Sequence, residues 1–199
     1  MNSSGAIEGC MVNLRRMATD ETGVEFRTLV HFLQQENPVF DELIELANTD
    51  PSKPYGRQVL LETEALEVMV AAWTRGVPCA PHDHGGSAGA VRVLQGRAHH
   101  RIWSVRDGQL QLVREEHVEA GGVMACGPSL IHSMSDDGAE APLVTLHMYT
   151  QSVDNMVVFD EGRNETLVVE GSCGAWVPHD KPNMIRSVFE GIVDPKTIR

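Results

Sequence analysis

Gly76-Val77-Pro78-Cys79-Ala80-Pro81-His82-Asp83-His84 is the stretch on which the architecture turns, because it sets two histidines two residues apart. Along an extended chain, residues i and i+2 face the same side, so one strand carrying His82 and His84 offers two imidazoles to a single ion. A neighbouring strand must supply the third ligand. His132, in Gly127-Pro128-Ser129-Leu130-Ile131-His132, answers the pair. The three predict a metal site inside a small β-barrel.

The spacing around the pair is more specific than the pair itself. Gly76, five residues, His82-x-His84 and then Gly96 fit the first cupin motif, G-x5-H-x-H-x(3,4)-E-x6-G, except that Gly89 stands where the glutamate is expected. The second motif, G-x5-P-x-G-x2-H-x3-N, keeps Gly121 and His132, while Gly127, Ser129 and Asp136 replace its proline, glycine and asparagine. The chain thus resembles a cupin, which implies a mainly β fold, a jelly-roll barrel, with N-terminal α-helices.

At 199 residues with 42% hydrophobic content, the chain suits one domain able to bury its own core. The expected organisation is a single cupin domain over residues 1–199. Residues 1–50 form a helical segment packed on the barrel, about 55–170 the barrel, and 171–199 a C-terminal extension. A net charge of −12 disfavours nucleic acid and anionic membranes as partners. Cys10, Cys79, Cys126 and Cys173 form no C-x2-C pair, and neither a secretory leader nor an apolar run of about 18 residues is present. These features predict reduced thiols in the cytoplasm; a monomer is the expected state, although none of them fixes it.

Thr22-x-x-Glu25 reads as a capping box, followed at helical spacing by Phe26, Leu29, Val30 and Leu33, so a helix is expected from about Gly23 to Gln35. Asn37-Pro38 opens a second helix carrying Phe40, Leu43, Ile44 and Ala47. From Tyr55 onward the period becomes two. Leu66, Val68, Val70 and Ala72 alternate with Glu67, Met69 and Ala71, as in a strand with one face more deeply buried. Asp107-Gly108 marks a hairpin turn between Arg101–Arg106 and Gln109–Arg114, and the tail after Cys173 reads as irregular.

Imidazole suits zinc, copper, iron and nickel, so the histidines alone leave the metal open. Three neutral ligands leave the ion its full 2+ charge, which favours an anionic substrate ligand, above all a thiolate. Gly89 either frees space for substrate and O2 or permits close strand packing. Thr145, His147 and Tyr149 share one face of a strand, where they form either a relay toward a metal-bound ligand or a buried polar network. Arg57 offers a forked guanidinium for a carboxylate. His99 and His100 point to opposite faces, and with His31, His117 and His179 they read as surface or structural residues; Cys79 is turned away from the histidines.

Tyr55-x-Arg57, His82-Asp83-His84, Leu94-Gln95-Gly96, His132 and Leu146-His147-Met148-Tyr149 together resemble cysteine dioxygenase over roughly Tyr55 to Asp160. The resemblance implies a cupin barrel holding Fe(II) through His82, His84 and His132, with L-cysteine and O2 converted to cysteine sulfinic acid. Arg57, beside Tyr55, would bind the substrate carboxylate. Tyr149 would be the active-site tyrosine, backed by His147 and Thr145. A cysteine that becomes crosslinked to the tyrosine in the animal enzymes is replaced here by Gly89, as in many bacterial members. Thr150-Gln151-Ser152 replaces their Ser-Pro-Pro turn. Related enzymes acting on 3-mercaptopropionate have glutamine where Arg57 stands, so Arg57 favours cysteine, with Gln58 its neighbour. The remaining readings are a dioxygenase for another small thiol carboxylate, a metal-dependent cupin enzyme of other chemistry, and a noncatalytic small-molecule-binding cupin.

Overall fold

A computed structural model describes residues 3–19 and 24–199. Three helices lead, α1 (Ser3–Ala18), α2 (Phe26–Gln34) and α3 (Val39–Ile44). Eleven strands follow: β1 (Tyr55–Glu62), β2 (Glu67–Trp73), β3 (Gly89–Gln95), β4 (Arg97–Arg106), β5 (Gln109–Glu119), β6 (Val123–Cys126), β7 (Ile131–Asp136), β8 (Val144–Tyr149), β9 (Met156–Asp160), β10 (Glu165–Val169) and β11 (Ile185–Glu190). The fold is mainly β, a double-stranded β-helix with N-terminal helices.

One sheet runs β1-β2-β8-β3-β6. The other is assembled from two three-stranded pieces, β5-β4-β7 and β11-β10-β9, and His82 is the rung between them, bridging His132 of β7 and Val158 of β9. Apolar side chains of both sheets, among them Ala71, Val91, Met134, Val158 and Leu167, meet in one core.

Every residue of β2 and of β8 is buried. The alternation in β2 therefore does not separate a deeper face from a shallower one. Val68 and Val70 of β2 and Leu146 and Met148 of β8 pack outward under Leu29, Leu33, Phe40 and Leu43 of the helices. Glu67, Met69, Thr145, His147 and Tyr149 have the opposite parity and face the barrel interior. Burying one large aliphatic side chain contributes about 1.5–3 kcal/mol, so the helices are held by this apolar layer rather than by their short lengths.

The helix starts follow local chemistry. Thr22, half of the expected capping box, lies outside the described residues, and Glu25 precedes Phe26 without a side-chain cap. Asn37 does cap, its Oδ1 accepting from Val39 N–H at 3.1 Å. At the expected hairpin Asp107 and Gly108 both take positive φ, 51° and 70°, the conformation a two-residue turn needs to match strand twist. The tail corrects the sequence reading: residues 185–190 are not irregular but pair with β10 as an edge strand. Arg199 Nη2 reaches both carboxylate oxygens of buried Asp83 at 2.6 Å. All four cysteines are free thiols. No helix among the described residues is long and apolar enough to cross a membrane.

Candidate metal centre

His82 and His84 do not come from a regular strand, as the i, i+2 reading expected. The segment before them is irregular and extended, and only His82 pairs. Its N–H and C=O exchange 2.9 Å hydrogen bonds with His132. On its other side Asp83 N–H donates to Val157 O and Phe159 N–H to Pro81 O. Asp83 Oδ1 also accepts from Val157 N–H and Gly85 N–H. Backbone and carboxylate thus fix the ligand pair from both sides.

His82, His84 and His132 are all buried, each offering a nitrogen within 4.8 Å of the others. His82 Nδ1 donates to Ala80 O at 2.9 Å, which leaves Nε2 as its free lone pair. His84 Nε2 stands 3.1 Å from His132 Nε2, while His84 Nδ1 is buried without a partner. Two nitrogens about 2.0–2.1 Å from one ion and at about a right angle stand about 3 Å apart, so this facing pair suits a divalent transition metal. Burial holds His82 down to about 4, with His84 and His132 also well below the ordinary histidine range, first through burial and then through neighbouring imidazoles. Neutral imidazole is the form that ligates.

Behind His132 stands a residue that sequence reasoning placed among the surface or structural histidines. His100, 2% exposed, sets Nε2 2.9 Å from His132 Nδ1 and Nδ1 3.1 Å from Glu116 Oε1. Glu116 can only accept as a carboxylate, so His100 Nδ1 carries the proton; His100 Nε2 then accepts from His132 Nδ1–H, and His132 Nε2 is left as a lone pair toward the ion. The available signal was the parity of His99-His100 itself, since one of two adjacent strand residues must face inward.

Thr145, His147 and Tyr149 join in one hydrogen-bonded chain. Trp73 Nε1–H donates to Thr145 Oγ1 at 2.9 Å, Thr145 Oγ1 lies 2.8 Å from His147 Nε2, and His147 Nδ1 lies 3.1 Å from Tyr149 Oη. Burial lowers His147 to about 3 and pushes the Tyr149 phenol well above its ordinary value, so at neutral pH both are uncharged. The Tyr149 ring sits 4.9 Å from that of His84. A Cβ on Gly89 would fall 2.2 Å from Tyr149 Cδ1 and 2.7 Å from Met148 O. Of the two readings of Gly89, close packing is therefore the one that holds: Tyr149 fills the space that the other left to substrate and O2.

A cavity of about 30 Å³ is lined by Tyr55, Arg57, Glu67, His82, His84 and Tyr149, among others. Tyr55 and Arg57 also line an outer recess of about 540 Å³, so they form the wall between the surface and the histidines. Tyr55 presents its ring, since its hydroxyl accepts from Ala175 N–H at 2.8 Å. Arg57 Nη1 donates to Gly171 O at 3.0 Å and Cys173 O at 3.2 Å. Gln58 is exposed, which leaves Arg57 as the residue facing inward. Cys79 is not turned away as expected: its Sγ lies 4.0 Å from His82 Nδ1, and it accepts from Met134 N–H, beside the ligands but not among them.

Fold and site together define a metal-binding protein of the double-stranded β-helix class. The family model described as cysteine dioxygenase type I matches residues 23–162, and the chain belongs to that family. Among solved structures, the chain is similar to an uncharacterized conserved protein with a double-stranded β-helix domain from Klebsiella pneumoniae, at 19% identity and a TM-score of 0.47, covering 60% of this chain and 95% of that one. An oxalate decarboxylase from Lactobacillus farciminis is similar at 12% identity and a TM-score of 0.46, over 58% of this chain and 34% of that one.

Proposed function

We propose that this protein is an iron-dependent thiol dioxygenase that converts L-cysteine and O2 to cysteine sulfinic acid. The observation that carries the reading is a set of three buried neutral histidines, with no carboxylate among them, of which His82 and His84 line a cavity that also holds Arg57 and Tyr149. Membership of the cysteine dioxygenase type I family supports it. Iron held by His82, His84 and His132 would supply the redox centre where thiolate and O2 meet, and the overall change, RSH + O2 → RSO2H, is balanced without a further reductant.

The chain's own residues position the reactants. Three neutral ligands leave the cation's charge uncompensated, so a substrate thiolate is drawn to it. Arg57, on the cavity wall, binds the distal carboxylate and thereby fixes the sulfur's distance from the histidines. Tyr55 bounds the same wall. Tyr149 points a neutral hydroxyl into the cavity as a donor, and His147 with Thr145 holds that hydroxyl in place.

The test is to load the purified protein anaerobically with Fe(II), add L-cysteine or 3-mercaptopropionate, and follow O2 uptake together with sulfinate by mass spectrometry. One cysteine sulfinate per O2 is expected from the wild type, with metal binding and turnover both lost in His132→Ala. Sulfinate from 3-mercaptopropionate alone would reassign the substrate. O2 uptake without sulfinate from either thiol would overturn the reading.

A further inference from the structure

The hydrogen-bonded chain from Trp73 through Thr145 and His147 to Tyr149 has a direction, and its first member sets it. Trp73, buried at the end of β2, stands two residues beyond Ala71, the register partner of Thr145, so its indole reaches the threonine diagonally across the strands. Indole Nε1–H can only donate, so Thr145 Oγ1, 2.9 Å away, accepts. Thr145 is fully buried. Among the described residues its hydroxyl meets only that indole and His147 Nε2, at 2.8 Å.

Two proton arrangements then remain for the rest of the chain. In the first, the Thr145 hydroxyl donates to His147 Nε2, so the neutral ring carries its proton on Nδ1 and donates it to Tyr149 Oη at 3.1 Å. Every donor behind the tyrosine is satisfied, and the phenolic hydrogen is left for the cavity that Tyr149 lines. In the second, His147 Nε2–H donates to Thr145 and Nδ1 accepts from Tyr149. Thr145 Oγ1 then accepts twice, and its own hydrogen is stranded in the core with no acceptor among the described residues. A buried donor without an acceptor is costly, whereas a hydrogen that opens on the cavity is available to a ligand. The first arrangement is favoured because the indole has already taken the acceptor side of Thr145.

We infer that Trp73 is a positioning residue: acting through Thr145 and His147, its indole N–H makes the Tyr149 hydroxyl a hydrogen-bond donor toward whatever ligand the cavity holds. Its effect on turnover rests on the thiol dioxygenase reading, while the polarity of the chain does not. Phenylalanine at position 73 keeps an aromatic ring against Tyr55, whose ring centroid lies 4.8 Å from that of Trp73, and removes the N–H alone. Thr145 Oγ1 is then free to serve His147 in either sense.

The polarity is read from the His147 tautomer by long-range proton–nitrogen NMR of the zinc-loaded protein, with His147→Gln identifying the resonances. Wild type should carry the His147 proton on Nδ1; a proton on Nε2 overturns the inference, and no variant needs to fold for that result. Trp73→Phe should bring the Nε2–H form into the population, with the melting temperature reporting an intact fold, and an unchanged tautomer in the folded variant overturns the inference as well. In the iron-loaded enzyme with L-cysteine, Trp73→Phe should lower kcat about three- to tenfold while KM stays within about twofold. Thr145→Val severs the chain, so adding Trp73→Phe to it should cost no further kcat; the same loss in both backgrounds would reduce the indole to packing. Absence of sulfinate from wild type sinks the dioxygenase reading separately, and the tautomer still decides the role of Trp73.

Discussion

Gly89 shows how much one missing side chain decides. The inward row Glu67, Tyr149, Gly89 crosses three strands, and the tyrosine ring leans over the glycine. Gly89→Ala places a methyl within 2.2 Å of the ring and 2.7 Å of a backbone oxygen, and the backbone cannot yield as a side-chain tip would. The expected result is a loss of about 1–3 kcal/mol in urea unfolding and a drop in turnover larger than any loss of metal affinity. Turnover and stability both at wild-type level would show that Tyr149 has room to retreat. At this scale the sequence was informative about the ligands, because two residues of the same parity and a third at motif spacing are a chemical pattern. It was silent on Trp73 and His100. Their parity was readable, but a tryptophan ending an apolar strand and one of two adjacent histidines become site residues only when neighbouring strands bring Thr145 and His132 to them.

Strand β4 carries the support for the centre. Its register sets His100 opposite Glu116 of β5 and diagonal to His132 of β7, so one element links an outer carboxylate to an inner ligand. Replacing His100 with Ala removes the acceptor that fixes the His132 tautomer. Metal affinity should fall about 10–100-fold in a chelator competition, with partial recovery in His100→Gln; unchanged affinity in His100→Ala would reduce the chain to packing. Elements with strong local signals were legible from sequence: the Asp107-Gly108 hairpin, the Asn37 cap and the apolar stripe of α2. Helix α1 was not singled out, although Ile7, Cys10, Met11 and Leu14 have helical spacing, because Gly5 and Gly9 interrupt it. Strand β11 is an edge strand with four of its six residues exposed, so it shows no apolar alternation to read.

Over the whole molecule, the buried histidines tie stability to pH. An unfolded histidine titrates near 6.5, whereas His82 is held to about 4 and His147 to about 3 by burial. Between those limits the unfolded chain binds protons that the folded one refuses, so stability is present above about pH 6.5 and lost as pH falls toward 4. Each such histidine contributes about 1.4 kcal/mol per pH unit in that window. The melting temperature of the metal-free protein should be level near pH 7 and fall steadily from pH 6.5 to 4.5, before most carboxylates titrate; a flat profile there would refute the linkage. Divalent metal should raise the melting temperature at pH 7 by binding the folded state alone. The barrel class was legible because histidine spacing and period-two strands pointed the same way, whereas the assembly of its second sheet was not, since nothing local marks His82 as a strand partner. That rung has a mechanical meaning. With its ring aimed at the ion and its peptide groups stitched to β7, His82 cannot withdraw from the metal by a backbone shift without parting the seam between β5-β4-β7 and β11-β10-β9. The centre thereby inherits the stiffness of the wall that contains it, and its geometry is set before any ion arrives.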